Sequence, residues 1–311
     1  MRPRLPVLTA LLAGIALAVT ACSDDGGGGQ EPESTGAGEE LPAVEGGYGD
    51  EPTITFPESG APAELQSEVL QEGDGTEVGA DDFVVADYHG QVWGEEQAFD
   101  SSFARDAPSG FSLNGVIQGW KQGLAGTHVG DRVLLSIPPE LGYGAEGQPQ
   151  GGIPGDASLV FVVDVVEVYP PDAGAQADAE PVTPEPELPV TVEGDLGEPA
   201  AITVDDGAPE PTEAGATVIA TGDGDPLRAG ETALVQVAET AWDNSNQQST
   251  WDAGGVTSLT IDEELPTGLL ADVPVGSRVV LQLPGQPAGE QSAELPPTAL
   301  VIDVVDAIRA R

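Results

Sequence analysis

The side chains that could do chemistry are gathered in one part of this chain. Tyr88, Trp93, Phe99, Phe103, Phe111, Trp120, Tyr143 and Phe161 fall within a stretch of fewer than half its residues, although the whole is only 5% aromatic. Core packing is the default role for any one of them, because large aromatic rings dominate small cores. As a set they also mark a candidate apolar site. No Ser/His/Asp order, no Cys/His ligand set and no phosphate-cradling glycine loop accompanies them, so nucleophilic, zinc and nucleotide chemistry lack candidates. His89 and His128 are the only histidines. With no second histidine or cysteine at metal spacing, each reads as a surface or edge residue, and neither a metal nor a cofactor is expected.

The elements that must carry those residues are short. Residues 83–89, 132–137 and 158–168 are rich in Val, Ile, Leu and aromatics and read as strands. They bracket one candidate helix over 116–124, with Asn114 as a cap and Gly126 near its close. The remaining connections are rich in Gly and Pro. An antiparallel sheet packed on one helix is an α+β arrangement. The chain also compares with itself at an offset of about 147 residues, a domain-sized period that implies duplication. Residues 52–62 run beside 199–209, 69–75 beside 218–224, 129–133 beside 275–279 and 164–166 beside 303–305.

Charge and ends bound the setting. Fifty-four acidic residues against nine basic ones give a net charge of -45, which repels nucleic acid. Arg2 and Arg4 precede an apolar run over 5–20 that is too short for a comfortable membrane span, the pattern of a targeting segment. The only cysteine, Cys22, ends a Val19-Thr20-Ala21-Cys22 run that resembles a bacterial lipobox, in which the cysteine is diacylated and becomes the mature N-terminus. The organisation expected is a signal peptide over 1–21, an acidic Gly-rich disordered tether over 22–50, a first domain over 51–168, an acidic Pro-rich linker over 169–196 and a second domain over 197–308. Independent domains, an extracytoplasmic location at the outer face of a bacterial cell membrane and a monomeric state complete the expectation.

Five runs of the first copy resemble the FKBP-type peptidyl-prolyl isomerase family, in order and spacing: Val85-Ala86-Asp87-Tyr88-His89-Gly90, Phe99-Asp100-Ser101-Ser102, Val116-Ile117-Gln118-Gly119-Trp120, Leu141-Gly142-Tyr143-Gly144, and Ile153-Pro154 followed by Leu159-Val160-Phe161. The resemblance implies an antiparallel half-barrel sheet wrapped around a short helix, present twice here. It implies a proline pocket with Trp120 as floor, Tyr88, Phe99 and Phe161 as walls, Phe111 beside them, and Val116 and Ile117 at the rim. It further implies that the Ile117 amide and the Tyr143 phenol meet substrate carbonyls, that Asp100 stands by the imide and pairs with Arg105, and that Ile153 closes over the ligand. Three departures bear on macrolide affinity more than on catalysis: a single aromatic in 108–111, Gly152 beside Ile153, and Gln148 in place of a frequent histidine.

An apolar pocket suits the reaction that the resemblance implies. An X–Pro bond is held by amide resonance with a barrier of about 18–20 kcal/mol. The twisted imide is less polar than the planar one, so a dry cup favours the transition state over the ground state. Donors aimed at a carbonyl add to that preference, and no covalent step is required. In the second copy Tyr88 falls on Val237, Phe99-Asp100 on Gln247-Gln248, and Trp120 near Pro266, so that copy is expected to be catalytically degenerate. The expected function is isomerisation of X–Pro bonds in unfolded, exported polypeptides. The alternative is a membrane-anchored chaperone or scaffold that binds proline-containing segments without turnover.

Overall fold

The computed structural model describes residues 40–184, 186–287 and 295–310. The expected signal segment, Cys22 and the tether as far as residue 39 lie outside these residues. Runs of β-branched and aromatic residues extend wherever a pleated, half-buried surface can accept them. The described strands are β1 (Ala43–Glu45), β2 (Thr53–Thr55), β3 (Gln66–Gln71), β4 (Phe83–Val92), β5 (Ala98–Ser101), β6 (Ser109–Ser112), β7 (Arg132–Ile137), β8 (Leu159–Tyr169), β9 (Glu180–Pro181), β10 (Val190–Glu193), β11 (Ala201–Val204), β12 (Gly215–Thr221), β13 (Thr232–Ala241), β14 (Gln247–Ser249), β15 (Thr257–Thr260), β16 (Arg278–Leu283) and β17 (Thr298–Ile308). The one α-helix among the described residues, α1 (Gln118–Leu124), lies between β6 and β7.

Among the described residues these strands form two antiparallel ribbons, β1–β2 and β10–β11, and two large antiparallel sheets. The first has the order β3-β7-β8-β4-β5, with β6 also on β4; the second has β14-β13-β17-β16-β12-β9, with β15 also on β13. In the first sheet Tyr88 stands opposite Val163 and Arg132 opposite Asp164. Alternation along each strand sends Val84, Ala86, Tyr88, Leu135, Ile137 and Phe161 to one face, where Trp120 and Leu124 of α1 complete the core. The other face carries Leu134, Val160 and Val162, packed against Val44, Ile54, Phe56 and Trp93. Strands covered on both faces read as nearly continuous apolar runs, as β8 does.

Helix α1 is a poor helix by propensity, with two glycines in seven residues. Packing explains the first. A Cβ on Gly119 would meet Ile137 Cγ2 at 2.3 Å with Cδ1 and Cγ1 at 2.7 and 2.8 Å, so only glycine there lets α1 approach β7 this closely, whereas one on Gly123 would meet only the end of the Leu135 side chain, Cδ2 at 2.6 Å. The helix begins at Gln118 rather than at Val116, because Asn114 does not cap it. The Asn114 amide oxygen instead accepts from Lys121 Nζ at 2.6 Å, and Ile117 occupies the N-cap in an extended conformation.

Residues 43–50 are not a disordered tether. β1 pairs with β2, and the turn between them wraps the buried Arg132–Asp164 pair. The Arg132 guanidinium donates to the carbonyls of Gly46 and Asp50 at 2.8 and 2.7 Å, and the Gly49 amide donates to Asp164 Oδ2 at 2.7 Å. A charge this deep requires such a full set of partners, and the turn supplies them. The second sheet has the same device. Arg278 pairs with Asp303 and donates to the carbonyls of Gly194 and Glu198, in the turn between β10 and β11. The folded boundary there precedes residue 197.

Residues 169–196 are likewise not a free spacer. Pro171 accepts from Gln236 Nε2 at 2.7 Å, Ala173 accepts from Trp251 Nε1 at 3.3 Å, Ala175 donates to Asp303 Oδ2 at 2.9 Å, and β9 adds to the edge of β12. The two sheets also meet directly. Phe83 and Val85 of the first share a buried cluster with Leu234 and Val256 of the second, and the Tyr169 hydroxyl is hydrogen-bonded to Asp306. The described residues form a single compact unit. Independent domains were expected because the Pro-rich composition hides the backbone and side-chain bonds that fasten this segment.

Candidate active site

On the helix side of the first sheet lies a cleft of about 320 Å³ lined by Tyr88, Phe99, Asp100, Phe111, Gly115, Val116, Ile117, Trp120, Tyr143 and Phe161. Nine of the ten residues expected from the sequence therefore converge. The Trp120 ring is at the centre of a set of edge contacts, with centroids 5.7 Å from Tyr88, 5.1 Å from Phe111 and 5.3 Å from Phe161. Phe99 stands edge-on to Phe161 at 5.5 Å. Edge-to-face pairs at these separations are favourable, about 0.5–1.5 kcal/mol each beyond burial, and they keep the rings upright around the opening.

Strand β4 turns Tyr88 into this cleft, and Ser102 locks it there. The Tyr88 amide donates to Ser102 Oγ at 2.9 Å, the Ser102 amide donates back to the Tyr88 carbonyl at 2.9 Å, and Ser102 Oγ donates to Asp87 Oδ1. Ser102 is fully buried. Gly90 makes room: a Cβ there would stand 2.7 Å from both the Phe99 and Phe161 rings. Neither role was assigned from the sequence, although both residues sit inside the quoted motifs.

The polar edge is built from three side chains. The Tyr88 hydroxyl donates to Asp100 Oδ2, Arg105 Nη1 donates to Asp100 Oδ1 at 2.6 Å, and Arg105 Nη2 donates to the Tyr88 oxygen at 2.9 Å. Burial, and after it the bond to Asp100, pushes the Tyr88 phenol up to about 12. Burial alone would raise Asp100, but the hydrogen bonds from Tyr88 and Arg105 and the Arg105 charge outweigh it and hold the carboxyl below its ordinary value. The carboxylate is thus ionised with both oxygens engaged, a poor base and a poor nucleophile. Arg105 is held above its ordinary value, first by the bond to Asp100.

At the rim, Tyr143 is 38% exposed and its hydroxyl has no partner among the described residues. The Ile117 carbonyl starts α1 by accepting from Trp120 and Lys121, while its own N–H has no acceptor among the described residues. These two donors border an otherwise apolar cup.

Ile153 is the exception. It does not reach over the cleft but lies 3% exposed in the core. Gln148 and Ile153 exchange backbone hydrogen bonds, at 2.8 and 3.1 Å, which closes residues 148–153 on themselves and turns the side chain inward. It borders a neighbouring depression of about 600 Å³ shared with Phe99, Val92 and Pro154. Two of the eight clustered aromatics are also outside the cleft. Trp93 packs on Phe56 at the opposite face, and Phe103 begins a 3-10 turn before Arg105. Among the described residues no group of His, Cys, Asp and Glu could hold a metal, and no helix is long and apolar enough to cross a membrane.

Residues 75–166 match the family model described as FKBP-type peptidyl-prolyl cis-trans isomerase. A probable FK506-binding protein of Corynebacterium glutamicum is 38% identical over 119 residues, which span 98% of that protein and 38% of this chain. The chain belongs to the FKBP family. The FKBP-type peptidyl-prolyl cis-trans isomerase FkpA of Escherichia coli K12 is 40% identical over 117 residues, 37% of this chain, and the match spans 42% of FkpA. The crystal structure of FkpA aligns over 34% of this chain and 48% of that one, at 40% identity and a TM-score of 0.32. The cleft residues of the FKBP domain, Tyr88 to Phe161, lie inside the matched residues.

In the second sheet the corresponding positions follow from register. Val237 stands opposite Ile302 as Tyr88 does opposite Val163, and Leu259 stands opposite Ala233 as Phe111 does opposite Val84. Gln248 takes the place of Asp100, and a 3-10 turn, Pro266–Leu270, stands where α1 would be. The inner core there is aliphatic throughout, with Leu227, Val235, Ile261, Leu270 and Leu281 among its buried members.

Proposed function

We propose that this chain is a peptidyl-prolyl cis/trans isomerase acting on X–Pro bonds of unfolded, exported polypeptides, with turnover confined to the cleft of the first domain. What supports it is the convergence of Trp120, Tyr88, Phe99, Phe111 and Phe161 on one cleft about 320 Å³ in volume, with unengaged donors at Tyr143 and Ile117 on its edge. The pyrrolidine ring enters against Trp120. Water is excluded around the imide, and loss of amide polarity on rotation is better tolerated there than in solvent. The Ile117 N–H and the Tyr143 O–H donate to carbonyls of the substrate backbone and favour the rotated state. Asp100, charge-paired with Arg105 and hydrogen-bonded by Tyr88, borders the imide, which carries no N–H, and no proton transfer is required of it.

The two halves are a duplicated half-barrel fold in this proposal, and the second has lost the aromatic cup while keeping the sheet and the buried Arg278–Asp303 pair. Acylation of Cys22 tethers the protein at the outer face of a bacterial cell membrane, where slow proline isomerisation, roughly 10–100 s uncatalysed, limits folding of exported clients. The experiment is a protease-coupled isomerisation assay on the full chain with a Leu-Pro tetrapeptide, beside a Trp120→Leu, Tyr143→Phe double variant. Acceleration by the first and its loss in the second are expected. No acceleration by the wild-type chain, with retained binding of proline-containing peptides, would establish the chaperone alternative instead.

A further inference from the structure

Strand β6 carries Phe111 into the cleft, yet it is paired with β4 alone, over four residues. A four-residue edge strand is a weak platform, because few backbone bonds must open to release it. Its outward face is where the second sheet arrives. A Cβ on Gly110 would lie 2.6 Å from the Phe83 ring and 3.1 Å from Cδ1 of Ile308, the last residue of β17. Side chains alternate along a strand, so Gly110 faces away from Phe111. The β6 backbone is therefore held between Ile308 and Phe83 on one side and the Trp120 ring on the other. Absence of a side chain at Gly110 is what admits the Ile308 contact. Ile308 itself is fixed by the cluster of Phe83, Val85, Leu234 and Val256, and β17 is tied to β8 by the bond between Tyr169 and Asp306.

We propose that Ile308 is a positioning residue for the cleft of the first domain: the second domain, without an aromatic cup of its own, presses β6 inward and holds Phe111 against Trp120. The kinetic consequence rests on the isomerase reading, and the structural one does not. Ile308→Ala lets β6 lift, and the wall ring backs away from the floor. A loosened wall weakens ground-state and transition-state binding alike, which raises KM while kcat is retained.

The test uses the full chain as wild type, Ile308→Ala and Ile308→Leu, with amide hydrogen exchange followed by mass spectrometry and isomerisation kinetics on one Leu-Pro tetrapeptide. In Ile308→Ala, exchange in 109–112 should rise about tenfold while β7 is unchanged, and KM should rise about tenfold with kcat within about twofold. Ile308→Leu should restore both. Unchanged exchange in 109–112, or a rise spread equally over β7 and β8, overturns the proposal. If the wild-type chain shows no isomerisation, the isomerase reading falls and the exchange pattern alone decides the positioning role. Should Ile308→Ala fail to fold, Ile308→Val is expected to give the same localised pattern at smaller size, and its absence is equally decisive.

Discussion

Gly119→Ala places a methyl group where α1 meets β7. The new Cβ would stand 2.3 Å from Ile137 Cγ2 and 2.7 and 2.8 Å from Cδ1 and Cγ1, whereas carbon atoms rest at about 3.5–4.0 Å. Ile137 is fully buried and branched at Cβ, so it cannot turn aside. Helix α1 must retreat by roughly 1 Å instead, and Trp120, the next residue, goes with it. Overpacking of this kind costs about 1–3 kcal/mol, offset by about 1 kcal/mol from removing a helical glycine. Net destabilisation is therefore only about 0–2 kcal/mol, a loss of less than about 8 °C in Tm. Activity should suffer more, because a displacement of about 1 Å at a reacting site can cost up to about 100-fold. The assay is kcat/KM for a Leu-Pro tetrapeptide, with Tm measured on the same samples, and a fall of roughly 10- to 100-fold is expected. Gly123→Ala is the control: its Cβ meets Leu135 Cδ2 at 2.6 Å but the next atom only at 3.4 Å, a clash that a side-chain rotation absorbs. Full activity in Gly119→Ala, or an equal loss in Gly123→Ala, would refute the claim that the α1–β7 approach sets the pocket floor.

The Tyr88 phenol, raised to about 12 by burial and then by Asp100, lies above its unfolded value near 10. Its contribution to stability is whole below about pH 10 and is lost as pH rises toward 12; difference spectra against Tyr88→Phe should place phenolate formation near 12, and a midpoint near 10 would contradict the buried bond to Asp100. Arg132→Met leaves the fully buried Asp164 with only the Gly49 amide as a donor and the Gly46 and Asp50 carbonyls without theirs, so urea unfolding should show a loss of about 3–5 kcal/mol. A loss no larger than that of a surface mutation would mean that the β1–β2 turn does not depend on it. Burial lowers the His89 imidazole, with the Glu51 carboxylate opposing from 3.8 Å, and neither ring nitrogen is hydrogen-bonded. The unfolded chain then takes up the proton first, so stability is full above about pH 6.5 and declines below it. In His89→Leu that part of the acid slope should vanish; an unchanged slope would assign it to other groups.

Much of this molecule is legible in its amino-acid order because local rules and the fold agree. The apolar runs at 83–89, 132–137 and 158–168 became β4, β7 and β8, since β-branched residues buried on a pleat have no competing structure. Nine of the ten site residues expected from the motifs line one cleft, and the roles given to them belong to the proposal. Composition misled where polar or Pro-rich segments are fastened by single buried partners. Residues 43–50 and 170–182 look like spacers, yet Arg132, Asp164, Gln236 and Asp303 bind their backbones. Such bonds leave no periodic trace.

The sequence by itself determined which side chains could form an apolar cup and which half of the chain would own it, because those are matters of residue type and spacing. Only the tertiary structure decided that Ile153 faces the core, that α1 opens at Ile117 without a side-chain cap, and that Ile308 from the other sheet lies behind Phe111. Each of these depends on a close approach between residues distant in sequence, and packing at such contacts is set by the shapes that meet there rather than by either segment alone.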